Sequence, residues 1–342
     1  LSYITGISNA EDDLLNPGCL LIAERNKLYG QSLETAKYYE FPVINSTFGQ
    51  IRALLQISQS EVMLSHQQLN CICILKRHSE YAEIQSVIGN CGEKGSYADG
   101  PYADARFDGP HKIAESQNKD SYFVAEKKHV RRLSMEEQEV STIFPQEDVD
   151  LKVHDISALA VTDKYLYIAS ANVVFQQSLS SGSSTVLTGT IWGFGHDDGP
   201  CLLASTYYFI SSMLVLDEHT LLLSDFGNQN LRIINTLTST SSTVCLPSKQ
   251  NNIIEGHFFG SKSLCHIEDS FTLFYSNNLK AVVVFSSQSP ILLPVHRGKQ
   301  NTLITIFTFK QHGQFHIDGK SHVWLVDQHS KLCIYMCITF QV

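Results

Sequence analysis

The chain has 342 residues, with 25 Lys and Arg against 34 Asp and Glu, a formal charge of −9, and 43% hydrophobic against 17% charged residues. That apolar content supports a packed core and excludes a disordered chain, and the acidic balance argues against binding driven by a phosphate backbone, so no nucleic-acid partner is expected. No run approaches the roughly 20 apolar residues of a membrane-spanning helix, so no membrane insertion by this segment is expected.

Short, very apolar strands recur along the chain: Cys19 to Glu24, Glu61 to His66, Tyr122 to Glu126, Tyr165 to Ser170, Thr220 to Asp225, Phe271 to Ser276 and His322 to Asp327. Each is followed, after a polar turn, by another strand: Asn26 to Leu33, Leu69 to Lys76, His129 to Met135, Asn172 to Leu179, Asn230 to Asn235, Lys280 to Ser286 and Lys331 to Met336. No gap holds a long amphipathic helix with caps at both ends, which argues against βαβ units and for antiparallel sheets. The anchors start about 50 residues apart, a spacing that fits four short strands per unit and an array of repeats. The expected fold is therefore all-β, a β-propeller of four-stranded antiparallel blades. Seven blades are expected, with six the alternative, in one domain spanning 1–342. Leu1 to Ile7 serves either as the inner strand of the first blade or as the strand that completes the last one; closure by pairing of N- and C-terminal strands is expected, since an open blade edge invites aggregation.

Two segments carry a finer signature. One runs from Gly89 through Asp99-Gly100, Ala105-Arg106-Phe107 and Pro110 to Ala114. The other runs from Gly193 through Asp198-Gly199-Pro200 to Ala204, followed by Asp225, Asn228 and Arg232. Both resemble NHL repeats, which implies an NHL-like propeller; together they cover about a quarter of the chain, by the spacing typical of such repeats. Their residue types have structural uses: Gly100 and Gly199 permit positive φ, Asp99 and Asp198 accept hydrogen bonds from turn amides, and Phe107 fills the gap between blades. Glu126 and Ser170 stand where the resemblance implies Asp, so these positions cannot form a uniform ring of ligands.

Some propellers similar to this family hold a metal through histidines of several inner strands. The positions matching that arrangement best are His111, His154, His257 and His316. His111 and His154 do not fall at equivalent places in their repeats, so no cofactor is expected, with zinc or calcium the alternative. The nucleophile elbow, phosphate-binding loop and HExxH patterns are all missing. Binding to another protein or a glycan through loops of one face is thus the expected function, and a metal-dependent lyase or hydrolase is the alternative. Tyr97, Tyr102, Trp192, Phe194, Tyr207, Tyr208, Phe258 and Phe259 are candidate anchors. The basic stretch from Lys127 to Arg132 is expected to be a solvated strand and turn.

Of the nine cysteines, Cys71, Cys73, Cys265, Cys333 and Cys337 lie in apolar runs and read as small buried hydrophobes, whereas Cys91, Cys201 and Cys245 lie near turns where a bridge can form. The sequon at Asn45 falls in a loop suited to a glycan. Low charge, abundant Ser and Thr, and this sequon point to an extracellular or cell-surface protein, with the cytoplasm the alternative.

Overall fold

The computed structural model describes residues 42–43, 50–58, 60–78, 81–145, 154–190, 193–202 and 207–243 in full, and elsewhere the backbone of strands with a few side chains. The chain divides into two compact units, Leu1–Ile156 and Ser157–Val342. Among the described residues there are strands and a single 3-10 turn, Phe226–Asn228.

The first unit carries three antiparallel sheets. The first orders Ile4–Asn9, Cys19–Glu24, Lys27–Ser32 and Tyr38–Glu40 in sequence. Ile4–Asn9 pairs with Cys19–Glu24, so the opening segment acts as a strand of its own sheet. The second sheet holds Ile51–Gln56, Glu61–His66, Cys71–Arg77 and Ala82–Ile88, with Val43–Ile44 added in parallel at its edge. The third holds Lys112–Glu115, Ser121–Ala125, Val130–Ser134 and Glu139–Phe144, edged by the two-residue strand Gly100–Pro101.

Four more sheets follow. Ile156–Val161, Tyr165–Ser170, Val173–Ser178 and Ser184–Gly189 form the fourth. Ile210–Asp217, Thr220–Asp225, Asn230–Asn235 and Thr240–Cys245 form the fifth, edged by Gly199–Pro200. The sixth contains Thr272–Ser276, Ala281–Phe285, Pro290–Pro294 and Ile304–Thr305, with Phe258–Phe259 at its edge, and the last described sheet contains Gly313–Ile317, His322–Asp327 and Cys333–Cys337. Every anchor strand read from the sequence is a strand here, five with the same ends and two displaced by one residue at one or both ends.

The second sheet is apolar on both faces because it packs on each side within the first unit. Along Cys71–Arg77, residues Cys71, Cys73 and Leu75 face a core with Ile51, Leu54 and Leu64. Ile72 and Ile74 face the opposite core, with Phe107, Tyr122 and Leu133. Successive side chains of a strand point to opposite faces, so a continuous apolar run is what a doubly covered strand requires. Phe107 is buried between the second and third sheets. In the second unit, Tyr167, Ala169 and Leu187 pack with Tyr207, Leu221 and Leu223.

Two expectations about cysteine are corrected. Cys71 is bridged to Cys91, closing a separation of 20 residues, and Cys201 is a buried free thiol. Cys71 opens its strand and faces the loop after Ala82–Ile88, so its apolar surroundings concealed a partner arriving from a turn.

Candidate functional site

Both Asp-Gly signatures build the same arrangement around a buried arginine. In the third sheet the Arg131 side chain is 0% exposed. Its Nη1 donates to the Arg106 carbonyl at 2.8 Å and to Glu126 Oε1 at 3.3 Å, and its Nη2 donates to the Ala98 carbonyl and to Asp99 Oδ1. Asp99 also accepts the amide and hydroxyl of Thr142, at 2.8 and 2.9 Å. In the fifth sheet the Arg232 side chain is likewise 0% exposed. Its Nη2 donates to the Asp197 carbonyl at 2.7 Å and to Ser241 Oγ at 3.2 Å, and lies 3.2 Å from Asp198 Oδ1. Thr243 Oγ1 donates to Asp198 Oδ1 at 2.8 Å.

Each aspartate therefore takes a hydrogen bond from the outer strand and pairs with a buried arginine, where turn amides were expected. Gly100 (φ +131) and Gly199 (φ +143) hold backbone conformations that favour glycine, letting each connection turn along the outer edge of its sheet. Arg131 also corrects the expectation that the basic stretch is solvated, since its strand turns this one side chain into the protein while Lys127, Lys128 and Arg132 stay exposed.

Charge in these clusters is held in different ways. Burial works to raise the Asp99 pKa, but the Thr142 hydrogen bonds and the Arg131 charge outweigh it and hold the carboxyl below its ordinary value. Glu126 is fully buried, and burial pushes its carboxyl up to about 8, against a partial pull downwards from Arg131. Burial also raises the Asp225 carboxyl, opposed by Asn228, by the Tyr208 and Phe209 amides and by Arg232.

Asp225 organises the connection that precedes its own sheet. Its Oδ1 accepts the amides of Tyr208 at 3.0 Å and Phe209 at 3.3 Å, and its Oδ2 accepts Asn228 Nδ2 at 2.7 Å. Asn228 also donates to the Gly195 carbonyl, and the Phe226 amide donates to the Phe209 carbonyl at 2.7 Å. The turn at 226–229 and the connection before Ile210 are thereby tied into one loop end. There Phe194 is 62%, Tyr208 52% and Phe209 40% exposed. The Phe194 and Tyr208 rings meet edge to face, with centroids 5.4 Å apart, and Phe209 meets Phe226 in the same manner at 6.2 Å.

The remaining sequence candidates separate clearly. Tyr207 is fully buried, its hydroxyl between Thr188 and Ser241 and its ring 5.0 Å beneath Arg232. Tyr102 donates to the Ser134 carbonyl at 2.7 Å and is half-buried. Tyr97 is exposed, donates to Asp108 Oδ2 at 3.1 Å and leans on His129 at 4.2 Å. Pro110 is buried, and Pro200 lies exposed in the edge strand. Trp192 lies outside the described residues, as do the side chains of Phe258 and Phe259. Phe209 and Phe226 were missed because their exposure depends on the loop path fixed by Asp225 and Asn228; for Phe209 the available signal was three successive aromatics, Tyr207 to Phe209, before an inner strand.

Of the four histidines, His111 and His154 have described side chains. His111 sits between two carbonyls, Nδ1 3.0 Å from that of Gly109 and Nε2 2.6 Å from that of Ile156. His154 is exposed, His257 lies outside the described residues, and His316 lies in Gly313–Ile317 with its side chain outside them. Asn45 also lies outside the described residues. Among those residues, the sulfur atoms of Cys71, Cys73 and Cys91 converge, but Cys71 and Cys91 are joined in a disulfide and so are not thiolate ligands for a metal.

These sheets and their order define a β-propeller protein. No family model and no curated protein matches the chain. Among solved structures it is similar to virginiamycin B lyase from Staphylococcus aureus, at 13% identity and a TM-score of 0.57 over 95% of this chain and 91% of that one. It is similar to U3-55K at 12% identity and a TM-score of 0.60, covering 97% and 90%. It is also similar to the extracellular domain of a putative hybrid two-component system from B. thetaiotaomicron, at 11% identity and a TM-score of 0.59, covering 95% of this chain and 38% of that one. At these identities the likeness concerns the propeller fold.

Proposed function

We propose that this propeller is a recognition module of an extracellular or cell-surface protein, and that it binds a protein partner through the loop end bearing Phe194, Tyr208 and Phe209. The observation that carries the reading is the exposure of three large aromatic side chains on loops held in place by Asp225 and Asn228. Exposed aromatics on a rigid support are the usual anchors of protein interfaces, because they bury large areas while losing little conformational freedom. The edge-to-face contact of Phe194 with Tyr208 fixes the two rings against each other as one apolar patch. The Cys71–Cys91 disulfide supports an oxidising compartment.

The test screens wild type and the double variant F194A/Y208A against arrays of extracellular proteins and of glycans, with melting temperature as the control for folding. Loss of a protein partner by the variant at unchanged melting temperature is expected. Glycan binding that depends on the same two residues overturns the protein reading, and partner binding indifferent to both residues overturns the site.

A further inference from the structure

The disulfide between Cys71 and Cys91 has a third sulfur beside it. Cys71 and Cys73 are two residues apart on one strand, so both side chains leave the same face. The sulfur atoms of Cys71, Cys73 and Cys91 all lie within 4.8 Å of one another. Cys91 is held over this face by more than its own bond. The Gly92 amide donates to the Leu69 carbonyl at 2.8 Å, and Asn70 Nδ2 donates to the Glu93 carbonyl at 2.9 Å. The loop therefore keeps its place beside both strand cysteines when the covalent link changes. Gly92 has open space where a Cβ would lie, leaving room for the chain beside Cys91 to adjust.

We propose that Cys71, Cys73 and Cys91 form a thiol–disulfide exchange site in which Cys91 is the common partner and can be bonded to either strand cysteine. In the exchange the Cys73 thiol gives up its proton and its thiolate attacks Cys91 Sγ. The Cys73–Cys91 bond forms as the Cys71–Cys91 bond breaks, and Cys71 leaves as a thiolate that takes up a proton. One disulfide and one thiol are present before and after, so no oxidant or reductant is consumed. Cys73 is buried, which pushes its thiol up to about 12. The attacking thiolate is scarce, and the exchange is slow on that account.

The deciding experiment uses the Cys71→Ser variant of the full chain, prepared under oxidising conditions, with disulfides mapped by mass spectrometry of non-reduced peptides. A Cys73–Cys91 linkage is expected. Recovery of both Cys73 and Cys91 as alkylated thiols, or of Cys91 bonded to another cysteine, overturns the proposal. Because that variant can misfold, the wild-type chain is also incubated with a trace of small-molecule thiol, quenched with acid and mapped. A minor Cys73–Cys91 population is expected in wild type and none in Cys73→Ser. Detection of the Cys71–Cys91 linkage alone in wild type overturns the exchange site.

Discussion

The guanidinium carbon of Arg131 lies 5.3 Å from the centre of the Phe107 ring, so a fully buried charge rests on the aromatic side chain that fills the gap between two sheets. Arg232 and Tyr207 repeat the relationship at 5.0 Å in the second unit. A cation over a ring is stabilised by the ring quadrupole, more so where water is excluded. Each arginine thus links the outer edge of its sheet, through an aspartate, to the packing between sheets.

Replacing Asp99 by Ala removes two hydrogen bonds from Thr142 and one anionic partner of Arg131. A loss of about 1 to 2 kcal/mol in urea unfolding is expected, moderated because the Asp99 side chain is half exposed. Asp198→Ala should cost about 1 kcal/mol, having fewer bonds to lose. Partner affinity at saturation should be unchanged in both. Affinity lost at unchanged stability would show that these aspartates touch the ligand.

Stability should fall as pH rises from the ordinary carboxylate range to about 8. Glu126 has a folded pKa of about 8, raised by burial above the ordinary carboxylate value. The folded state therefore holds this proton more tightly than the unfolded state does. That contribution is fully present below the unfolded pKa and is lost as pH rises through about 8. Asp225, also raised by burial, acts in the same sense. Melting temperature followed from pH 5 to 9 should decline, and Glu126→Gln should flatten the decline. An equal slope in the variant would assign the effect elsewhere.

The Tyr208 ring lies directly over Gly227, where an added Cβ would fall 1.6 Å from Tyr208 Cδ1. Gly227→Ala should therefore push the ring out of its edge-to-face contact with Phe194 without opening the core, because Tyr208 is half exposed. The expected result is partner binding as weak as that of Tyr208→Ala, with a stability loss of about 1 to 3 kcal/mol, because the added Cβ also falls 2.7 Å from Tyr208 Cβ and the loop must shift. Wild-type affinity in Gly227→Ala would exclude this loop end from the interface.

Phe107→Ala should cost about 3 to 5 kcal/mol, since the ring is buried between two sheets and supports Arg131. Tyr207→Phe keeps the ring beneath Arg232 and loses only the hydroxyl contacts with Ser241 and Thr188, so about 1 kcal/mol is expected. Comparing the two by chemical denaturation separates ring packing from hydrogen bonding in equivalent places.

What the sequence determined by itself was the strand order and its rhythm. Strands such as Tyr165–Ser170 and Thr220–Asp225 were legible to the residue because a strand covered on both faces must be apolar throughout, and polar turns bound it. The Asp-Gly signatures were legible as motifs, since positive φ at Gly100 and Gly199 restricts the residue type. The tertiary structure decided what these residues meet. That Arg131 is buried over the Phe107 ring while Arg132 stays exposed beside Ser121 depends on what other segments place next to each side chain. That Cys71 finds Cys91, and that Tyr207 is buried while Tyr208 is exposed, depends on the path of loops whose ends are fixed by hydrogen bonds between distant residues. Alternation along a strand is a local property and is written in neighbouring residues; the partner of a side chain belongs to another segment, and only the folded chain brings the two together.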